Sequence, residues 1–284
     1  SDHAIKALFR GLPKETAYPY RSTWGPRLGF AYDVTGKQKT VLSGGYGVFY
    51  ERIEGNFIFS AINNRPFISQ SDISDGNIEN PTGGTTATFP GAFANSHQLD
   101  MKVPRLMNWS LGIQHKLGAN TTLDVAYVGS SAANLSRTIN PNQLREGTLT
   151  KNPGINVNAL RPYPGWANLN MYITGSNSMY NSLQVQGKQQ IRGGGLLNLA
   201  YTWSRTITDA SGYSEGPMDS YNFKRDRGLA TFHRQHVFVF SYIYPLPFWR
   251  SGAEWYKKAL GGWQVSGVTT LQTGLPQNLG TSGD

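Results

Sequence analysis

The stretch that decides the fold runs from Arg27 to Ile53. Arg-Leu-Gly-Phe-Ala-Tyr-Asp-Val (residues 27–34) leads through Thr-Gly-Lys-Gln-Lys into Thr-Val-Leu-Ser-Gly-Gly-Tyr-Gly-Val-Phe-Tyr-Glu-Arg-Ile (residues 40–53). In the first arm Leu28, Phe30, Tyr32 and Val34 alternate with Arg27, Gly29, Ala31 and Asp33. In the second, Leu42, Tyr46, Val48 and Tyr50 share one phase, and Ser43, Gly45, Gly47 and Glu51 share the other. A period of two over about ten residues describes a strand with two unlike faces. Here one face is apolar and ends in aromatic rings, while the other is small or polar. The polar turn between the arms makes the pair a hairpin.

The unit recurs. Leu106–Ser130 places Trp109, Leu111, Ile113, Leu123, Val125 and Tyr127 in one phase around the turn Leu-Gly-Ala-Asn-Thr. Asn181–Ile207 does the same with Leu183, Val185, Leu197, Leu199, Tyr201 and Trp203 around Arg-Gly-Gly-Gly. A fourth unit pairs His236–Tyr244 with Trp263–Gln272; its first strand is apolar in both phases, so its faces stay unassigned. Between those two strands, Trp249, Ala253, Tyr256 and Leu260 have the spacing of a short interfacial helix, or of an irregular connection.

The connections alternate in length. Short turns sit inside each hairpin, and Asn-, Ser-, Gly- and Pro-rich segments join them at Glu54–Pro104, Ser131–Met179 and Thr208–Phe232. Segments this long without periodicity are unusual in a compact domain and are normally functional or disordered. Short turns at one end and long loops at the other are the asymmetry of a transmembrane β-barrel, whose strands alternate lipid-facing and lumen-facing residues. The expected fold is therefore all-β: an antiparallel transmembrane barrel segment of about eight strands, with short periplasmic turns and long extracellular loops. Residues 1–25, interrupted by Pro13 and Pro19, form an irregular lead-in, and 26–284 belong to one barrel domain.

Composition agrees. Only 38% of the 284 residues are hydrophobic, yet 12% are aromatic, with 15 Tyr, 7 Trp and 33 Gly. That balance suits an interface rather than a compact soluble core. No run approaches the ~18 apolar residues of a spanning helix, which excludes a helical membrane protein but not a barrel. The absence of cysteine excludes disulfides and thiolate metal sites. The net charge of +9 is dispersed, with no Lys/Arg block, so nucleic acid is not an expected partner.

Tyr50, Trp109, Tyr127 and Trp203 stand at strand ends next to long loops, all in the apolar phase, as an outer aromatic girdle would. Tyr32, in the same phase near a short turn, fits an inner girdle. The competing interpretation buries these rings between the sheets of a soluble sandwich. The opposite phase carries Asn108, Gln114, Asp124, Gln184, Gln186 and Lys188 as lumen-facing candidates for ligand contact, against ordinary hydration of a barrel interior.

At this point a family resemblance enters. Trp-Gly-Pro-Arg-Leu-Gly-Phe-Ala-Tyr-Asp (24–33) and Leu-Ser-Gly-Gly-Tyr-Gly-Val-Phe-Tyr-Glu-Arg (42–52) resemble the barrel of Oar-like TonB-dependent outer-membrane receptors. So do Trp-Ser-Leu-Gly-Ile-Gln (109–114), Asp-Val-Ala-Tyr-Val-Gly-Ser (124–130), Tyr-Asn-Ser-Leu-Gln-Val (180–185) and Ala-Tyr-Thr-Trp-Ser (200–204). Asp-Arg-Gly (226–228), Arg-Gln-His-Val-Phe (234–238) and Gly-Gly-Trp-Gln-Val-Ser-Gly (261–267) complete the series. The resemblance implies a plugged barrel in the bacterial outer membrane, in contact with lipid, capturing a ligand and driven through the TonB complex. About eight strands, with no recognisable plug, lead to the expectation of an internal segment of a longer protein.

No bond chemistry is expected. His233 and His236 would lie on opposite faces if both were in one strand, and no phosphate loop, nucleophile elbow or cofactor motif is present. Gly44, Gly45 and Gly47 suggest close packing or strand bending, and Asn120-Thr121-Thr122 suggests a turn. Two other function classes stay open: an adhesion or surface-assembly barrel, and a soluble glycan-binding sandwich.

Overall fold

The computed structural model describes residues 23–53, 55, 73–74, 77–80, 85–86, 95–164, 166–248, 255–256 and 261–277. Most of the lead-in 1–25, much of Glu54–Pro104 and most of Trp249–Leu260 lie outside them. The regular structure of the described residues is almost wholly β. The strands are β1 (Arg27–Asp33), β2 (Thr40–Tyr50), β3 (Ile73–Ser74), β4 (Thr85–Thr86), β5 (Asn95–His97), β6 (Arg105–Leu117), β7 (Thr121–Ile139), β8 (Asn170–Ile191), β9 (Gly195–Thr208), β10 (Gly228–Leu229), β11 (His236–Pro245) and β12 (Gln264–Gln272). One sheet runs β1-β2-β6-β7-β8-β9-β11-β12, antiparallel along that path; β10 pairs with β9, and β5 runs parallel to β8. Among the described residues the sheet does not close.

The four expected hairpins are present. Each tight turn is made by the residues the chain supplies there. Asp33 folds back so that its carboxylate accepts from the backbone N–H groups of Thr35 (3.1 Å) and Gln38 (2.6 Å). The β8–β9 turn needs left-handed backbone at two successive positions, met by Gly193 and Gly194 at φ of 91° and 95°.

Register fixes the faces. Tyr32 pairs with Leu42, Leu42 with Ile113, Ile113 with Val125, Val125 with Val185, Val185 with Tyr201, and Tyr201 with Phe238. One apolar row therefore crosses seven strands on a single face. The next row toward the long loops reads Leu111, Tyr127, Leu183, Trp203 and His236. The same pairings settle β11, which its composition left open. Phe238, Phe240 and Tyr242 join the apolar face, and Val237, Val239 and Ser241 join the polar one.

Three aromatic rings on the apolar face lie over a glycine directly across the ladder: Phe30 on Gly44, Trp109 on Gly129, and Tyr242 on Gly267. A Cβ at Gly129 would come within 2.3 Å of the Trp109 ring. Glycine within a strand costs chain entropy, but here it lets a large ring lie flat against the neighbouring strand.

The sandwich interpretation fails on this geometry. Apart from the two-residue pair β3–β4, the described residues form no second sheet, and Trp203 is 51% exposed on the open face. The expected loop Ser131–Met179 is also corrected. β7 continues to Ile139 and β8 begins at Asn170, so only residues 140–169 lie outside the ladder. At 22 residues β8 is about 70 Å long, whereas a tilted membrane strand needs only ~9–11 residues. The β7–β8 ribbon stands well beyond the apolar belt. Two compensating register shifts mark where it leaves, between Ala132 and Leu135 and between Leu135 and Ser136, with Asn134 left-handed at φ 58°.

Candidate functional site

A one-sheet wall has little interior, and burial concentrates instead at the loop-bearing end. Met101, Ile173 and Ala230 are buried there, together with Arg137, Asn142, Ser176, Ser220 and His233. Three segments build a cap around the protruding ribbon. Residues 95–103 lie along β8 and β7, with Gln98 N–H donating to Tyr172 O (2.8 Å), Lys102 N–H to Thr174 Oγ1 (2.9 Å) and Asn134 Nδ2 to Val103 O (3.5 Å). Loop 140–169 is organised by Asn142, which is fully buried. Its Nδ2 donates to the carbonyls of Tyr163, Trp166 and Ala167, and its Oδ1 accepts from Tyr163 N–H (2.7 Å).

Loop 209–235 is pinned to both. Tyr221 Oη donates to Gln143 O (2.8 Å), Gln143 Nε2 to Met218 O (2.7 Å), and Ser220 N–H to Gln143 Oε1 (2.8 Å). In the run Lys224-Arg225-Asp226-Arg227, three successive charges each reach a different element. Arg225 meets Glu146 at 2.6 Å, Asp226 meets Arg137 at 3.1 Å, and Arg227 meets Asp209 at 3.2 Å. The exposed pairs are screened by solvent and contribute little. The Arg137 side chain is only 1% exposed and stacks under the Phe223 ring at 4.8 Å, so the Arg137–Asp226 pair sets the loop's position.

Below the cap lies the polar face. Gln114, Asp124 and Gln186 occupy one row across β6, β7 and β8. Lys188 lies one row toward the short turns, opposite Thr122 and Asn198; Gln184 lies one row toward the loops, opposite Ala126 and Thr202. Five of the six lumen candidates thus form one patch. Asn108 stands three rows away, level with Ser130, Tyr180 and Thr206. There a cleft of about 470 Å³, which the sequence did not reveal, is lined by the hydroxyl-bearing residues Ser130, Ser178, Tyr180 and Thr202 together with Phe232 and His233. Serine and threonine are ordinary in a polar phase, and only register brings these together. The girdle candidates Tyr32, Tyr50, Trp109, Tyr127 and Trp203 all share the opposite face.

His233 is not in a strand. Between Leu229 (opposite Ile207) and His236 (opposite Trp203), seven residue steps answer four on β9, so three extra residues bulge out. Ala230 O turns to accept from His233 N–H (2.9 Å), and the imidazole Nδ1 accepts from Thr206 N–H (3.4 Å). Burial, followed by the nearby Arg205 guanidinium, pushes the His233 pKa down and favours the neutral ring this contact requires. His236 goes elsewhere, its Nδ1 2.8 Å from Tyr201 Oη.

Alternating faces, length-graded connections and a capped polar wall define an outer-membrane barrel, and comparison with known proteins agrees. Residues 4–284 match the family model described as "Outer membrane beta barrel domain", and the chain belongs to that family, placing it in the bacterial outer membrane. Among solved structures it is similar to the outer membrane transporter YddB from Escherichia coli, at 13% identity and a TM-score of 0.50, covering 77% of this chain and 26% of that one. It is also similar to the siderophore receptor PirA from Pseudomonas aeruginosa, at 12% identity and a TM-score of 0.37, covering 88% of this chain and 42% of that one. The chain therefore spans about a quarter and about two fifths of these proteins' lengths. No curated protein matches it.

Proposed function

We propose that this chain is the ligand-admitting wall of a TonB-dependent, Oar-like receptor, with the capped end outside the cell and the short turns in the periplasm. The carrying observation is the pre-formed cap set directly above a polar wall. Hydrogen bonds from Gln143, Ser220 and Tyr221 hold loops 140–169 and 209–235 in one arrangement, which lowers the ordering cost of capturing a ligand. From the cap, the hydroxyl cleft leads along the same face to the patch of Gln184, Gln114, Asp124, Gln186 and Lys188. Those residues offer donors, acceptors and both charges to a passing solute. Catalysis has no part in this function. Surface adhesion is the runner-up: it would use the outer side of the cap and leave the wall below idle.

The test is nutrient depletion. Culture media of the parent, a strain lacking the full-length protein and a strain lacking TonB are compared by mass spectrometry. A solute consumed by the parent and left behind by both deletion strains supports the proposal. Depletion that persists without TonB but not without this protein would point to a passive pore. Identical media, with lost cell-to-cell attachment, would point to adhesion.

A further inference from the structure

The apolar face is interrupted at the loop-bearing end by a groove of about 460 Å³ that the transport proposal does not use. Its walls are Tyr127, Leu183, Trp203 and Leu229, each between 38% and 51% exposed. Arg205 stands one position beyond Trp203 on the same face, and Asn181 is directly opposite it on β8. A cation on the lipid-facing side of a barrel is costly within the hydrocarbon and is tolerated near the interface. Among the described residues no carboxylate pairs with Arg205, and none lines the groove. Tyr127 Oη donates to Asn181 Oδ1 at 2.6 Å, and the Asn181 Nδ2 is left as a donor. Gln235 adds a second amide. The groove thus combines an unpaired guanidinium and amide donors with an apolar surface continuous with the lipid-facing belt.

We propose that this groove binds a phosphate-bearing lipid of the outer leaflet, with Arg205 and Asn181 on the phosphate and Leu183 and Trp203, one row nearer the belt, against the acyl chain. Guanidinium is the side chain suited to phosphate, which it meets with two parallel N–H donors. A soluble anion would use Arg205 but would leave the apolar walls unused. A neutral lipid would use the walls and leave Arg205 unpaired. The site is independent of the transported cargo; it rests only on the orientation given above, with the loops outside.

The test uses the full-length protein purified in a neutral detergent and native mass spectrometry with three probes: bis-phosphorylated lipid A, its dephosphorylated form and inorganic phosphate. Lipid A should remain bound to the parent, and Arg205→Gln should weaken it at least tenfold. The dephosphorylated lipid should bind the parent no better than lipid A binds the variant. A second readout follows from the position of Arg205 beside His233. Lipid A should raise the pH at which His233 titrates in the parent, by offsetting the guanidinium's charge, and should leave it unchanged in Arg205→Gln. Equal retention of both lipids, or retention unaffected by Arg205→Gln, would overturn the site. Binding of inorganic phosphate as tight as lipid A would overturn the lipid assignment. Protease accessibility of residues 140–169 on intact cells reports the orientation separately, so a wrong orientation is distinguishable from a failed site.

Discussion

Removing the carboxylate of Asp226 should release the cap while leaving the barrel wall intact. Arg137 is fully buried and has Asp226 as its ion-pair partner, at 3.1 Å. Asp226→Ala strands a desolvated guanidinium, a change that typically costs ~3–5 kcal/mol. Asp226 itself is 16% exposed, so water can reach the vacated position, and the lower end, about 3 kcal/mol, applies. At ~1.4 kcal/mol per tenfold, amides of loop 209–235 should exchange roughly 100-fold faster. Amides of the belt, around Leu183–Gly187, should be unchanged. Arg137→Met is the informative contrast: it removes the buried charge and leaves Asp226 partly hydrated and still accepting from Met218 N–H at 3.0 Å. Its cost should stay within ~1.5 kcal/mol. The assay is hydrogen exchange by mass spectrometry on the full-length protein in detergent. Exchange in 209–235 altered less than threefold by Asp226→Ala, or altered more by Arg137→Met, would refute the reasoning.

Other outcomes follow from the same structure. Asn142→Ala leaves three carbonyls and one N–H without their partner, so loop 140–169 should lose ~2–3 kcal/mol of local stability, read as faster limited proteolysis between residues 143 and 168. Gly129→Val forces Trp109 off the neighbouring strand and should lower the thermal midpoint of the folded barrel on heat-modified gel shift, whereas Gly187→Val, with nothing within 4 Å of its Cβ, should not. The bulge at 230–235 should loosen in acid. The His233 pKa is lowered in the folded chain, so its stabilisation is present above the unfolded value of ~6.5 and is lost as pH falls through the folded value. Protection factors at Ala230–Gln235, which divide out the intrinsic pH dependence of amide exchange, should therefore fall on acidification in the parent, and the fall should be absent in His233→Gln.

The wall was readable from sequence because its chemistry alternates. At Leu28–Tyr32, Trp109–Ile113 and Leu197–Trp203 the apolar residues keep one phase, and the turns between carry Gly and polar residues. Legibility ends where alternation ends. β11 is apolar in both phases, and only its partners on β9 show that Phe238 and Phe240 take the apolar face and Val239 the polar one. The outer halves of β7 and β8 are rich in Ser, Asn, Thr and Gly and lack the clean apolar phase of the belt, so Ser131–Ile139 and Asn170–Met179 read as loop although they are strand. The cap is hidden for a related reason. Arg137, Asn142 and Asp226 are polar residues in polar surroundings, and nothing local distinguishes a buried arginine from a solvated one. The lumen candidates were identifiable as a phase, but their grouping into one patch depends on register, which no single strand contains.

The central claim is that one face of this sheet meets lipid and the other meets water. It is tested most directly on β11, where composition carries no bias toward either face. These 284 residues contain no cysteine, and single cysteines are placed along Val237–Ile243 of the full-length protein, with any cysteine elsewhere replaced by serine, and spin-labelled in outer-membrane vesicles. Collision with lipid-soluble oxygen and with a water-soluble nickel chelate is then measured at each site. Labels at 238, 240 and 242 should favour oxygen, and labels at 237, 239 and 241 should favour the chelate, in strict alternation. Uniform accessibility along the strand, or the opposite phase, would contradict the barrel-wall assignment.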